Sequence, residues 1–390
     1  MSALKTATLA VMSDLHCRLA ADSRDSFLTV GSLRTPASRH PVQALLDLID
    51  AEVLRADALL VPGDLTNKAC LEGLQQGWDY ALEIGRKLGA ATVLPVVGNH
   101  DIDSYRVDPA HPVFHAVRNL RPGFPFSEPA DCQRFFADGY CVQRAGEAEI
   151  VAINTVIDHT DAPSAKRGAF AVDRIERMER ALTGTLVTPL RGALMHHHPI
   201  LHSGTFLEDA DVIPTGDALL ASLRRLGCGF VIHGHKHSTR LSCVDGVVVF
   251  ASGSLSAMLY EFGTSVGNTF HVLDLQASEV VALRGLVRTW VFKYGSGWRR
   301  SNAEHAGFPY LAGFGHTLPL VDFVSALKAL AGSDTRRDVF HEPEILSAVP
   351  EAKYLTPSER DQVNQALTHD ALKLVDSNNG RLQLWREFRP

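Results

Sequence analysis

The chain has 390 residues, of which 45% are hydrophobic and 21% are charged, and its formal net charge is -6. This length is ample for one large domain or for a domain with an appendage, and the composition is that of an ordinary globular protein. The mild negative charge provides no long-range attraction for nucleic acid, and no run approaches the ~20 apolar residues of a membrane span. The N-terminus lacks the apolar core of a signal peptide and the six cysteines form no C-x-x-C pair, so we expect a cytoplasmic protein with free thiols.

Apolar runs alternate with helical patterns through roughly the first 275 residues. The runs end at polar turns and are typical of buried strands; they lie at 7–14, 58–64, 91–101, 149–156, 192–199 and 229–237. Helical spacing of apolar residues occurs at 42–55, 71–89 and 217–227. Strands that alternate with helices predict a layered α/β core.

The pattern changes twice toward the C-terminus. Residues 246–294 contain strand-like runs in succession, which predicts antiparallel hairpins that complete a sheet. Helical periodicity returns at 318–332 and 356–375, where Thr356 and Pro357 are typical of a helix start. We therefore predict a main domain over residues 1–299 and a helical extension over 300–390, which is open to three roles: capping a cleft, homo-oligomerisation or binding a partner.

Five polar clusters each follow a strand-like run. They contain carboxylates, histidines and one asparagine: Asp14 and His16; Asp64; Asn99, His100 and Asp101; His196, His197 and His198; and His233, His235 and His237. In α/β sheets, ligand sites lie outside the carboxyl ends of the strands. Clusters that are more than 200 residues apart in sequence can therefore converge at one edge of the sheets.

The residue types in these clusters indicate a metal site. Carboxylate, imidazole and amide ligands suit Mn, Fe, Zn, Co or Ni. Asp14 and His16 stand two residues apart, as do His235 and His237, so each pair shares one side of an extended strand. These are too many ligands for one tetrahedral ion, whereas two ions ~3.5–4 Å apart with a bridging carboxylate would use them all.

In motif order the chain resembles the calcineurin-like metallophosphoesterases. The family pattern D-x-H, G-D, G-N-H-[DE], H and G-H-x-H is complete here, at 14–16, 63–64, 98–101, one histidine of 196–198, and 234–237. The resemblance covers residues 7–275 or so and not the last ninety. It implies a four-layer αββα sandwich with a two-metal site at its edge, to which the C-terminal helical appendage is added.

The resemblance also implies a role for each motif residue. One metal would be held by Asp14, His16, Asp64 and His237. The other metal would be held by Asp64, Asn99, His197 and His235, with Asp64 as the bridge. A metal-bridging hydroxide would attack phosphorus in line. His100 would stabilise charge on the phosphoryl group, and Asp101 is a candidate acceptor that orients His100.

The choice within the triple histidine depends on the family's H-x-P step. That step selects His197, because Pro199 lies two residues further on. Strand alternation then predicts that His196 and His198 point away from the metals. His233 falls outside the ligand pattern, and we expect it to be a buried core histidine.

The motif spelling favours a phosphodiesterase that acts on a small diester, with a cyclic nucleotide as the leading candidate. A phosphomonoesterase is one alternative. A nuclease is another and would need a basic track, for which Arg167, Arg224 and Arg225 are candidates; nucleic acid is not favoured by the net charge of -6. A metal-free scaffold of the same fold is the remaining alternative, but no motif histidine is missing.

Overall fold

The computed structural model describes residues 3–19, 26–104, 106, 108–159, 161–201, 211–258, 267–302, 307–377 and 380–387. Sixteen strands occur in these residues, numbered β1 to β16 in chain order: Lys5–Val11, Ala58–Val61, Thr92–Pro95, Tyr140–Ala145, Ala148–Ile153, Arg191–Met195, Phe230–His233, Thr239–Val244, Val247–Ser252, Asn268–Ala277, Arg284–Lys293, Gly297–Arg300, Leu311–Phe314, Val339–His341, Leu372–Asp376 and Leu382–Arg386. The α-helices, numbered α1 to α10, are Pro41–Ala51, Leu71–Leu88, His115–Asn119, Pro129–Ala137, Ala162–Arg167, Val172–Leu182, Gly216–Arg225, Leu320–Ser333, Glu342–Ala348 and Pro357–Leu367.

Two large sheets form the centre of the fold. The first has the order β12-β11-β10-β1-β2-β3, and β13 also pairs with β11. The second has the order β4-β5-β6-β7-β9-β8. Strands β1, β2 and β3 are mutually parallel, and so are β5, β6, β7 and β9. Parallel strands need crossovers, and helices α1, α2, α6 and α7 supply most of them.

Alternation along the strands of the second sheet produces two separate hydrophobic layers. On β7, Phe230 and Ile232 belong to the core that also contains residues of the first sheet, whereas Val231 packs with residues of α6 and α7. The first core also includes Val42 of α1 and Trp78 of α2. The layers therefore run helix, sheet, sheet, helix, and this confirms the predicted αββα sandwich.

The C-terminal region has a hydrophobic core of its own. Helices α8, α9 and α10 pack with a three-stranded sheet of order β14-β16-β15. Phe323, Leu327, Phe340 and Leu384 are almost completely buried there. The predicted helical extension is thus present, and it also contains a small sheet that the sequence reading did not predict.

Three sequence predictions need adjustment near the C-terminus. The helical pattern at 356–375 forms a helix only as far as Leu367, and Leu372–Asp376 is strand β15. The strands predicted at 246–294 form hairpins, but β9 belongs to the second sheet while β10 and β11 belong to the first. Strand β13 pairs with β11 although it lies beyond residue 300; the domain boundary at 299 remains a prediction.

The described residues also bear on the predictions about cysteines and membrane spans. All six cysteines are free, as expected. Among the helices that the structure describes, none combines the length and apolar character needed to cross a bilayer.

Candidate metal centre and active site

All five motif clusters lie just beyond the carboxyl ends of parallel strands. Asp14 and His16 follow β1, Asp64 follows β2, and Asn99 follows β3 in the first sheet. The triple histidine follows β6 and the 235–237 pair follows β7 in the second sheet. Backbone hydrogen bonds join these loops, since Asp14 N–H donates to Gly63 O at 3.1 Å and Gly234 N–H donates to His196 O at 3.1 Å. The edge where both sheets end therefore brings the motifs together.

The backbone at this edge has an unusual conformation. Five predicted ligands have φ values between 48° and 69°, in the left-handed region: Asp14, His16, Asp64, His235 and His237. Each such non-glycine residue costs on the order of 1 kcal/mol or more, and such residues cluster at functional sites. The motif glycines are equally constrained, because a Cβ at Gly98 would lie 2.2 Å from Asp64 Oδ1 and one at Gly234 would lie 2.6 Å from Asp14 Oδ2.

The first donor set surrounds the buried carboxylate of Asp14. Its Oδ1 lies 3.2 Å from His237 Nε2 and 3.8 Å from His16 Nε2, and the two imidazole nitrogens are 3.0 Å apart. Asp64 Oδ2 lies 3.7 Å from His16 Nε2. Burial would raise the pKa of Asp14, but the imidazoles of His16 and His237 outweigh it and hold the pKa well below its usual range. The structure brings together all four residues predicted for this set.

The second donor set contains Asp64, Asn99 and His196. His196 Nε2 lies 3.3 Å from Asp64 Oδ2 and 3.0 Å from Asn99 Oδ1, while its Nδ1–H donates to Pro62 O at 2.7 Å. Burial opposes a charged ring at His196, yet the Asp64 carboxylate outweighs burial and raises the pKa of His196 to about 9. The His235 ring lies 5.1 Å from the His196 ring and completes this side of the cluster.

The triple histidine is arranged differently from the prediction. The expectation that His196 points away from the carboxylates is wrong, because its Nε2 contacts Asp64. His197 is buried beside it: Nδ1 is 2.8 Å from Thr155 Oγ1, and Nε2 has no hydrogen-bond partner among the described residues. The His196 and His197 rings are only 4.8 Å apart and nearly perpendicular. Alternation fails because β6 ends at Met195, so the three histidines are no longer in an extended strand.

Asp101 and His100 also differ from the predicted pairing. The buried Asp101 carboxylate accepts backbone N–H groups of Asp64, Thr66 and Gly98 at 2.9, 3.1 and 2.9 Å. It therefore joins two motif loops and does not orient the His100 ring. His100 Nδ1 instead accepts the Lys68 N–H at 3.3 Å, while the His100 backbone N–H donates to Asp64 Oδ1 at 2.8 Å.

Asp211 is a residue of this site that sequence reasoning missed. Its Oδ2 lies 3.2 Å from His235 Nε2, and its two oxygens lie 3.0 and 3.2 Å from Lys236 Nζ. The sequence has no motif at this position; the single signal is that it falls in the loop after the triple histidine. His233, by contrast, is where it was expected, 2% exposed with Nδ1–H donating to Gly234 O at 2.9 Å.

The chemistry of these residues fits metal ions. In the described part of the chain, the ion pairs of Asp14 and Asp64 are all with histidines. Two buried carboxylates that face imidazole nitrogens form a nitrogen- and oxygen-rich donor set, which is what a first-row transition metal prefers. Four groups of three residues each offer ligand atoms that lie within 4.8 Å of one another; two of these groups contain Asp64, and one consists of His196, His197 and His235.

A cavity of about 500 Å³ opens beside the second donor set. Its lining residues come from two loops and the short helix α5: Asn99, His100, Ser104, Pro163, Ala165, Lys166 and His235. Among these lining residues, Lys166 is the one with a permanent charge. The wall formed by α5 is fixed to the site, because Ala169 N–H donates to Thr155 O at 2.7 Å and Gly168 packs directly against the His197 ring.

The chain belongs to the calcineurin-like phosphoesterase family, whose model matches residues 7–239. A second family model, described as wHTH-Calcineurin_assc, matches residues 312–368, within the three-helix C-terminal region. Membership of the first family makes the chain a metal-dependent phosphoester hydrolase. A search of curated proteins finds no match.

Solved structures to which the chain is similar have low sequence identity to it. A dimetal phosphatase from Danio rerio is 12% identical with a TM-score of 0.43, and the match covers 73% of this chain and 99% of that one. A purple acid phosphatase from yellow lupin (Lupinus luteus) seeds is 13% identical with a TM-score of 0.49, over 76% of this chain and 53% of that one. A putative 5′-nucleotidase from Staphylococcus aureus is 14% identical with a TM-score of 0.40, over 72% and 54%.

Proposed function

We propose that this chain is a metal-dependent phosphodiesterase that acts on a small phosphodiester. The observation that supports this most is the convergence of two buried donor sets that share the Asp64 carboxylate. One set would hold a metal through Asp14, His16, Asp64 and His237. The other would use Asp64, Asn99, His196 and His235, so His196 takes the role first expected of His197.

Two bound metal ions would supply a water-derived nucleophile at neutral pH and neutralise the phosphoryl oxygens. The chain's own residues fix the geometry around them. Asp101 accepts three backbone N–H groups from the loops that contain Asp64 and Gly98. It therefore fixes the position of the bridging carboxylate relative to Asn99. A two-metal site tolerates little displacement of its bridge, so Asp101 supports the reaction without touching substrate.

His100 is the residue we propose to act on the substrate directly. Since its Nδ1 accepts from Lys68 N–H, the neutral ring carries its proton on Nε2. Burial lowers the pKa of His100 to about 4, so the ring is neutral at pH 7. A neutral N–H that lines the cavity can donate a hydrogen bond to a phosphoryl oxygen or to the leaving oxygen.

The cavity favours a small substrate. Its volume of about 500 Å³ lies within the range of small-molecule sites, roughly 300–1,000 Å³. Lys166 on the α5 wall offers an ammonium group to an anionic substrate, while the remaining lining residues are neutral side chains or histidines. A cyclic nucleotide or another small diester remains the leading candidate, and Mn, Fe, Zn, Co or Ni are the candidate metals.

A comparison of two chromogenic esters tests this proposal. With Mn²⁺ present, we expect kcat/KM for bis(p-nitrophenyl) phosphate to exceed that for p-nitrophenyl phosphate by about tenfold, and metal-stripped protein to hydrolyse neither. Hydrolysis of the diester by Mn²⁺ in the absence of protein is the control. A preference for the monoester would replace the diester proposal with a phosphomonoesterase.

The nuclease alternative has less support from the described side chains. Arg225 pairs with Glu179, Nη2 to Oε2 at 2.7 Å, whereas Arg224 has only a 4.0 Å contact with Asp245. Arg167 is exposed in the last turn of α5. The exposed positions of α10, which is described in full, carry no basic residue: Ser358, Asp361, Gln362 and Gln365. Steep salt dependence of DNA or RNA binding would revive the nuclease alternative.

The metal-free scaffold would be contradicted if metal analysis of the purified protein found two Mn²⁺ ions bound per chain. The cytoplasmic location and the role of the extension, as a cap, an oligomerisation unit or a partner-binding unit, remain predictions.

A further inference from the structure

The carboxylate of Asp211 contacts the His235 ring, with Oδ2 3.2 Å from Nε2. We propose that Asp211 is a positioning residue that fixes the tautomer and orientation of His235 for the second metal. The inference rests on the proposed metal-dependent function. It deepens that function, because it assigns to the loop after the triple histidine a part in building the metal centre.

The contact determines which nitrogen of His235 can bind a metal. Asp211 Oδ2 lies 3.2 Å from Nε2, and an ionised carboxylate only accepts hydrogen bonds. Nε2 must therefore carry the proton, which leaves Nδ1 as the nitrogen with a free lone pair. Metal-binding histidines commonly donate their other N–H to a carboxylate, which orients the ring and makes it a stronger ligand.

The Asp211 carboxylate is itself held in place. Lys236 Nζ binds both oxygens of Asp211, at 3.0 and 3.2 Å. This contact restricts rotation of the carboxylate about its Cβ–Cγ bond. His198 Nε2 lies 3.8 Å from Oδ1. Two residues further along the loop, Ile213 N–H donates to His198 O at 3.1 Å. These contacts anchor Asp211 to the end of β6 as well as to the 235–237 turn.

His235 is thereby fixed at both ends. Its backbone N–H donates to the Asp14 carboxylate, 3.2 Å from each oxygen, and its φ is 69°. Its ring lies 5.1 Å from the His196 ring and 4.6 Å from the His197 ring. The backbone contact belongs to the first donor set and the ring belongs to the second. Without Asp211, the ring could rotate about χ2 and present either nitrogen.

The experiment compares Asp211→Ala and Asp211→Asn with the wild-type protein. Asn keeps an oxygen that can accept from His235 Nε2–H, whereas Ala keeps none. Asp217→Ala is the matched control, because Asp217 is an exposed aspartate in the first turn of α7 that contacts no predicted ligand in the described structure. Mn²⁺ binding to metal-stripped full-length protein is measured by calorimetry, the retained metal by elemental analysis, and folding by circular dichroism.

We expect Asp211→Ala to weaken one Mn²⁺ site by about 10–100-fold and to leave the other site unchanged. Asp211→Asn should remain within about threefold of wild type, and Asp217→Ala should be indistinguishable from it. Equal loss in the Ala and Asn variants would overturn the inference, because it would make Asp211 a direct ligand. Two unchanged sites in Asp211→Ala would overturn it as well. Wild-type protein that binds no Mn²⁺ would instead overturn the proposed function on which the inference rests.

Discussion

At the scale of single residues, His196 and His197 differ in surroundings although they are neighbours in sequence. His196 has both nitrogens engaged, with Pro62 O on one side and Asp64 and Asn99 on the other. His197 is engaged with Thr155 and packed under Gly168 of the α5 wall. Both rings lie within reach of one ion together with His235, and we propose that His196 is the ligand and that His197 supports it.

Substitution of the two histidines separates these roles. We expect His196→Ala to remove one of two Mn²⁺ ions and to lower kcat/KM by more than the 10–100-fold that loss of an outer contact typically costs. His197→Ala should retain two ions at saturating Mn²⁺ and lower the unfolding temperature, because a buried ring is replaced by a cavity. For each variant, elemental analysis counts the bound ions and thermal unfolding measures the stability. The reverse pattern would restore His197 as the ligand.

Residue types at the site could be predicted from sequence, but their exact contacts could not. The spacing of Asp14 and His16 is enough to place that pair near one ion, whereas His235 and His237 have the same spacing but contact different donor sets. The choice of His196 depends on where β6 stops, and the contacts of Asp101 depend on how two loops fold over each other. Asp211 has no local pattern at all, because its partner lies 24 residues further along the chain.

At the scale of elements, the start of α1 contains a buried histidine whose charge state affects stability. His40 caps the helix: its Nδ1 accepts from Gln43 N–H at 3.1 Å, and its Nε2 lies 3.3 Å from the Tyr80 hydroxyl. Burial lowers the pKa of His40 to about 4 from an ordinary value of 6.5. Protonation would place a second donor on Nδ1, opposite the Gln43 N–H, and would break the cap.

The pH dependence of unfolding follows from that lowered pKa. A histidine that is neutral in the folded state contributes stability that is fully present above pH 6.5 and is lost as the pH falls toward 4. The expected loss is at most about 3 kcal/mol. Asn at position 40 keeps a capping oxygen but cannot titrate, so His40→Asn should flatten the decline. Urea unfolding at pH 7.5, 6 and 5 tests this; parallel curves for the two proteins would contradict it.

The elements themselves were predictable where one pattern was strong and unbroken. Helices α2 and α7 match their predicted ranges closely, since apolar spacing and terminal glycines agree there. Strands β15 and β16 were missed because the run at 372–375 continues a helical pattern. The alternation in Leu372–Asp376 and in Leu382–Arg386, with Gly380 between them, is the hairpin signal that was available.

At the scale of the whole molecule, the first sheet extends beyond the predicted domain boundary. Strand β13 pairs with β11, and Phe308, Ala312 and Phe314 are buried in the main core. Contacts then continue into the C-terminal region, where Gly313 N–H donates to Leu355 O at 3.1 Å and the Gln276 amide bonds the Tyr354 hydroxyl. We propose that the main domain ends after β13.

Two truncated chains test that boundary. A chain that ends at Arg300 loses the buried aromatic residues and the pairing of β13, so we expect it to unfold at a markedly lower temperature or to aggregate. A chain that ends at His316 retains both and should have the higher unfolding temperature. Thermal unfolding followed by circular dichroism decides, and equal temperatures would support a boundary at 299.

The layered architecture could be predicted because each strand and helix shows its own period. The pairing partners could not, because a strand's pattern shows that it is buried but not which strand lies beside it. Strand β1 illustrates this: one neighbour is β2, close in sequence, and the other is β10, more than 250 residues away.

That pairing has a consequence for synthesis of the protein. Strand β1 leaves the ribosome before every other strand that the structure describes, yet its antiparallel neighbour Asn268–Ala277 is among the last parts of the main domain to be made. At about 5–20 residues per second, tens of seconds pass between the two. During that interval one edge of β1 has no partner within the nascent chain, and every metal motif emerges before that partner does. Translation speed and chaperones that cover exposed strand edges are therefore expected to influence the yield of native protein.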